Sequence, residues 1–85
     1  MARRVSMKFI ITDENKKEVL ITSDIKEAYE KIKTLVFDPQ NLLSIQKLKN
    51  AFNYDISKEK EQSAFGFYAN REKTKYMRMD VYYNE

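Results

Sequence analysis

Toward the C-terminus, cations and phenol rings are interleaved. Arg71, Lys73, Lys75 and Arg78 alternate with or flank Tyr68, Tyr76, Tyr82 and Tyr83. Two kinds of partner suit that mixture. Lys and Arg neutralise phosphates while bases stack on tyrosine, which is how a nucleic-acid strand is held. Tyr and Arg are also the residues that dominate protein–protein interfaces. Arg3, Arg4 and Lys8 lie at the opposite end of the chain, and would join the other four cations if the first and last strands are neighbours. The formal net charge is only +3, which supports weak steering of a polyanion, and lysines near sheet edges also serve to deter aggregation. Protein contact, with a partner or a second copy, is therefore the leading expectation, carried by Tyr76, Arg78, Tyr82 and Tyr83. Nucleic-acid binding is the second, with Arg71, Lys73, Lys75 and Arg78 on phosphates and Tyr68 or Tyr76 stacking.

Other chemistries lack their residues. The chain contains no cysteine and no histidine. Disulfides, thiolate nucleophiles and the usual zinc donor sets are excluded together, as is the side chain most used as a general base near neutral pH. Nothing brings Asp, Glu, Lys or Tyr into a catalytic arrangement, so the expectation is no enzyme, no metal and no cofactor. No apolar run approaches the roughly 20 residues that a membrane span needs. Val5 to Thr12 is interrupted by Lys8 and lacks the unbroken apolar core of a signal peptide, which makes the cytoplasm the expected location. Lysine outnumbers arginine by twelve to four. AT-rich coding gives that bias, and it points to a low-GC bacterium or one of its phages or mobile elements.

Positioning these residues takes a folded scaffold. Eighty-five residues make a single domain, 1–85, with residues 1–6 read as an N-terminal extension. The apolar fraction of 42% is enough for one core. Val5, Met7, Phe9 and Ile11 alternate with Ser6, Lys8, Ile10 and Thr12, and a β-branched run returns from Glu18 to Thr22 after a polar turn. That pattern predicts a hairpin. At Ser23–Asp24 the period changes. A cap there precedes Ile25, Ala28, Tyr29, Ile32, Leu35 and Val36, a helical apolar stripe. Asp38–Pro39 predicts the start of a second helix, from Pro39 or Gln40 to Phe52, with Asn53 as a left-handed stop. Tyr54 to Gln62 reads as a surface loop or a short exposed helix. A second hairpin follows, pairing Phe65, Phe67 and Ala69 with the Met77, Met79, Val81 and Tyr83 row, although Glu59 to Arg71 also reads as a helix interrupted at Gly66. The fold class is α+β: a two-layer, four-stranded antiparallel sheet with two helices on one face, in the order ββααββ.

Two local strings carry sharper implications. Ser63-Ala64-Phe65-Gly66-Phe67-Tyr68-Ala69-Asn70 resembles the aromatic strand of RNA-recognition motifs, and Lys8-Phe9-Ile10-Ile11 is loosely similar to that family's other RNA-contacting strand. The resemblance implies Phe65 and Phe67 stacking on bases. It spans about eight residues. Ser63-Ala64 replaces the basic-Gly opening, Asn70 replaces the last aromatic, and the element order differs. The competing reading makes Phe65 and Phe67 core residues, with Gly66 admitting close approach of a helix or a bulge. A helix-turn-helix over Leu42 to Ala69, turning at Tyr54–Ser57, is disfavoured by Glu59 and Glu61 where phosphates would repel them.

Overall fold

A computed structural model describes residues 6–84. Strand β1 (Ser6–Thr12) and strand β2 (Glu18–Thr22) are followed by helix α1 (Ile25–Leu35), a 3-10 turn (Pro39–Asn41) and helix α2 (Ile45–Ser57). Strands β3 (Gln62–Tyr68) and β4 (Tyr76–Asn84) complete the chain. All neighbours are antiparallel, and the sheet order is β2-β1-β4-β3. The expected ββααββ arrangement is thus the observed one. Of the residues read as an N-terminal extension, Ser6 opens β1 opposite Asn84, and 1–5 lie outside the described residues.

Period-two patterning decides which side chains meet. Phe9 and Ile11 of β1, Phe67 of β3, and Met77, Met79 and Val81 of β4 are buried. They form one core with Ala28 and Ile32 of α1 and Leu48 and Phe52 of α2. Phe9 and Phe52 stack obliquely at 6.0 Å between ring centres, so both helices cover the same side of the sheet. Burying each such large apolar side chain contributes about 1.5–3 kcal/mol.

Both hairpin turns use the same device. Asp13 accepts the N–H groups of Asn15 and Lys17 on its carboxylate, and Lys16 takes a positive φ of 65°. Asn70 accepts the N–H groups of Thr74 and Lys75 on its amide oxygen, and Lys73 takes φ 59°. Short Asp and Asn side chains suit this role because they can bond to their own turn backbone.

The helices show one agreement and one correction. Asp24 caps α1 by accepting from Lys26 N–H, and the predicted stripe faces the core. The second helix does not begin at Pro39 or end at Phe52. Asp38–Pro39 opens only a 3-10 turn with no side-chain cap. Leu42 and Leu43 then pack on the core from outside the helix, where Tyr29 Oη donates to the Leu43 carbonyl at 2.8 Å. Ser44 supplies the true cap, accepting from Lys47 N–H. At the far end Asn53 stays helical, because Phe52 and Ile56 continue the apolar face one turn further. Glu59, with φ 60°, is the left-handed stop. Tyr54–Ser57 is therefore helix, Gln62–Tyr68 is strand, and the helix-turn-helix alternative is overturned.

Candidate functional site

The helices leave the other face of the sheet bare. Its side chains are read off the registers. From β2 come Val19 and Ile21, and from β1 Lys8, Ile10 and Thr12. From β4 come Tyr76, Arg78, Asp80 and Tyr82, and from β3 Gln62, Ala64, Gly66 and Tyr68. Tyr76 and Tyr82 are 51% and 37% exposed, Ile21 49% and Val19 39%. Four large apolar residues that reach solvent thus share one face.

At one end Tyr68 and Tyr76 meet edge to face, their ring centres 5.5 Å apart. The Tyr76 ring lies over Gly66. A Cβ added at Gly66 would fall 1.8 Å from the Tyr76 hydroxyl oxygen and 2.4 Å from the ring carbon that bears it. Gly66 therefore does admit a close approach, but from a tyrosine on the bare face and not from a helix. In the middle of the face, Arg78 Nε donates to Asp80 Oδ1 at 2.9 Å. Tyr82 stands opposite Lys8 on one side and Gln62 on the other.

The predicted contact residues are divided by this geometry. Tyr76, Arg78 and Tyr82 share the bare face. Tyr83 does not; it belongs to the opposite row with Met77, Met79 and Val81, packed partly against the core. The cations are divided as well. The first and last strands are neighbours, but their antiparallel register sets Lys8 beside Tyr82, six residues along β4 from Tyr76, a span of about 20 Å. Arg71, Lys73 and Lys75 sit on the exposed β3–β4 loop beyond Tyr76, and Arg78 is tied to Asp80. Arg3 and Arg4 lie outside the described residues. Phe65 and Phe67 face the helices, with Phe67 buried. The base-stacking role implied by the RNA-recognition resemblance is overturned, because the rings that would stack are in the core.

One polar cluster escaped the sequence reading. Ser63 Oγ donates to Asp55 Oδ2 at 2.5 Å and lies 2.5 Å from Tyr83 Oη, while Lys60 Nζ stands 3.4 Å from Asp55 Oδ1. The Ser63 hydrogen bond, with Lys60 nearby, holds the Asp55 carboxyl below its usual range against the opposing effect of burial. Burial pushes the Tyr83 phenol up, and the Asp55 charge adds to that against the Ser63 bond. A carboxylate made less basic and a phenol made less acidic are both shifted away from general acid–base work at neutral pH. The cluster is a fastening between α2 and the second hairpin. A signal was available: Ser63 and Tyr83 are hydroxyls on otherwise apolar inward rows.

Among the described residues, no group of three or more acidic side chains is placed to hold a metal ion. No helix among them is long and apolar enough to cross a membrane. Compared with protein-family models, with curated proteins and with solved structures, the chain matches none.

Proposed function

We propose that this chain is a non-enzymatic accessory protein that works by binding another protein across the bare face of its sheet. Tyr76, Arg78 and Tyr82 carry the contact, with Ile10, Ile21 and Val19 extending the apolar area toward β2. The observation behind this is that one complete sheet face bears exposed tyrosines and β-branched residues with no helix over it. An exposed apolar surface rimmed by polar groups is what a protein partner covers, and rigid tyrosines beside an arginine are what its centre requires. The lysine-rich composition fits an accessory protein of a bacterial mobile element or phage, working in the cytoplasm.

The Arg71, Lys73 and Lys75 loop supports nucleic-acid binding as the second reading. It is the weaker one, because Arg78 is already neutralised by Asp80 and Lys8 stands far from the loop. Replacing both Tyr76 and Tyr82 with Ser should abolish capture of the partner while the chain stays folded, its melting temperature lowered by no more than the roughly 4–8 °C that losing the Tyr76 contact with Gly66 costs. A large drop in melting temperature instead would make the two rings structural. A mobility shift with steep salt dependence, lost on neutralising the loop cations, would move the function to nucleic acid.

A further inference from the structure

The two edges of the sheet differ in kind. β2 is short, opens with Glu18, and its pairing with β1 shifts register between Ile11 and Thr12. A charge, a bulge and a short length are the means by which edges are kept from pairing. β3 has none of them. Gln62-Ser63-Ala64-Phe65-Gly66-Phe67-Tyr68 carries no charge and no proline, and its register with β4 is unbroken over seven residues.

The ladder determines which backbone groups point outward. Tyr83 N–H donates to the Glu61 carbonyl and Ala69 N–H to the Lys75 carbonyl, so the odd-numbered residues of β3 bond to β4. By alternation, Gln62, Ala64, Gly66 and Tyr68 turn their N–H and C=O groups to the open edge. Phe37 N–H donates to the Tyr68 carbonyl at 3.1 Å, and among the described residues this is the sole backbone bond received on that edge. It caps the strand's far end and leaves Gln62 to Gly66 open.

We infer that this open stretch pairs with the same stretch of a second copy, antiparallel and about a two-fold axis at Ala64. The register follows from the cap. Ala64 meets Ala64, and Gln62 meets Gly66 in both directions, which uses every outward group between the capped residues. The small side chains of Ala64 and Gly66 place no bulk at the seam. Phe65 of one copy comes beside Ser63 of the other, over the groove lined by Lys60, Glu61, Gln62, Ser63 and Ala64. With the β2 edge blocked, such pairing closes at two copies and does not run on into a filament.

Light scattering over a concentration series tests this with the whole chain. The wild type should pass from the mass of one chain to twice that mass as concentration rises. Ala64→Pro removes an outward N–H that β4 does not use, and Ala64→Lys sets two cations face to face across the axis. Both variants should stay at the single-chain mass with a native circular dichroism spectrum; if the proline variant unfolds, the lysine variant decides. Tyr76→Ser/Tyr82→Ser should dimerise as the wild type does, which separates this edge from the partner-binding face. A wild type monomeric at every concentration would overturn the inference. So would a dimer that survives both Ala64 substitutions, or one lost only with the tyrosines.

Discussion

Gly66 lacks a side chain where the Tyr76 ring needs the space, and the two residues are coupled through it. A bare glycine weakens a strand, because it adds backbone entropy to the unfolded chain and offers nothing to pack. A ring laid across it from the neighbouring strand restores contact on the exposed face. Gly66→Ala should therefore destabilise the wild type by about 1 kcal/mol, by swinging Tyr76 out to solvent. In a Tyr76→Ser background the same substitution should be neutral or stabilising, since only strand propensity is left to act. Thermal unfolding of the four proteins in the double-mutant cycle measures the coupling, and additive effects would show that the ring and the glycine are independent. Part of this was legible in sequence. The alternation of Tyr76, Arg78, Asp80 and Tyr82 separated them from Met77, Met79 and Val81. Which neighbour filled the space over Gly66 was not legible, because it depends on how β3 and β4 align across a seven-residue loop.

Between elements, the Asp55–Ser63–Tyr83 cluster ties the end of α2 to the second hairpin. Its pH dependence has a definite sign. The folded Asp55 carboxyl titrates below its ordinary value of 3.8, so the stability it contributes is present above that value and is lost as pH falls through the lower, folded one. Asp55→Asn should be less stable than the wild type at neutral pH. The gap between the two should narrow on acidification, as read from melting temperatures taken across the acid range. A constant gap would mean that the carboxylate's charge does not matter. Tyr83, raised by burial, acts at the other extreme, losing its contribution only as pH climbs past the ordinary tyrosine range. The boundaries of α2 were the least legible part of the fold. Asp38–Pro39 is a strong local start signal, but Leu42 and Leu43 are adjacent apolar residues that the core takes from an extended stretch. The weaker signal at Ser44 prevails because it sets Ile45, Leu48 and Phe52 on one face. At the other end, Glu59 adopts the left-handed conformation without being a glycine or asparagine, and so left no trace in the sequence.

For the whole molecule, the order β2-β1-β4-β3 puts the two most deeply buried strands at the centre. Phe9 and Ile11 of β1 and Met77, Met79 and Val81 of β4 are all nearly inaccessible. The strands with fewer inward apolar residues are left to the edges. The class and chain order of this fold follow from hydrophobic period except at β3, where Glu59 to Arg71 also fits a helix interrupted at Gly66 and the pairing with β4 decides for strand. The adjacency of β1 and β4 does not follow from that period, since two hairpins can be joined through any pair of edges; the density of core residues in those two strands is what selects it. That adjacency sets Tyr82 beside Lys8, Asp80 beside Ile10 and Arg78 beside Thr12 on one side of the sheet, and so gives the molecule one covered face and one bare one. Oxidative footprinting of the tyrosines, free and with the captured partner bound, measures which face is used. Tyr54, 61% exposed on α2, is the internal control. Binding across the sheet should protect Tyr76 and Tyr82 and leave Tyr54 as reactive as before. Protection of Tyr54, with Tyr76 and Tyr82 still fully reactive, would contradict the account.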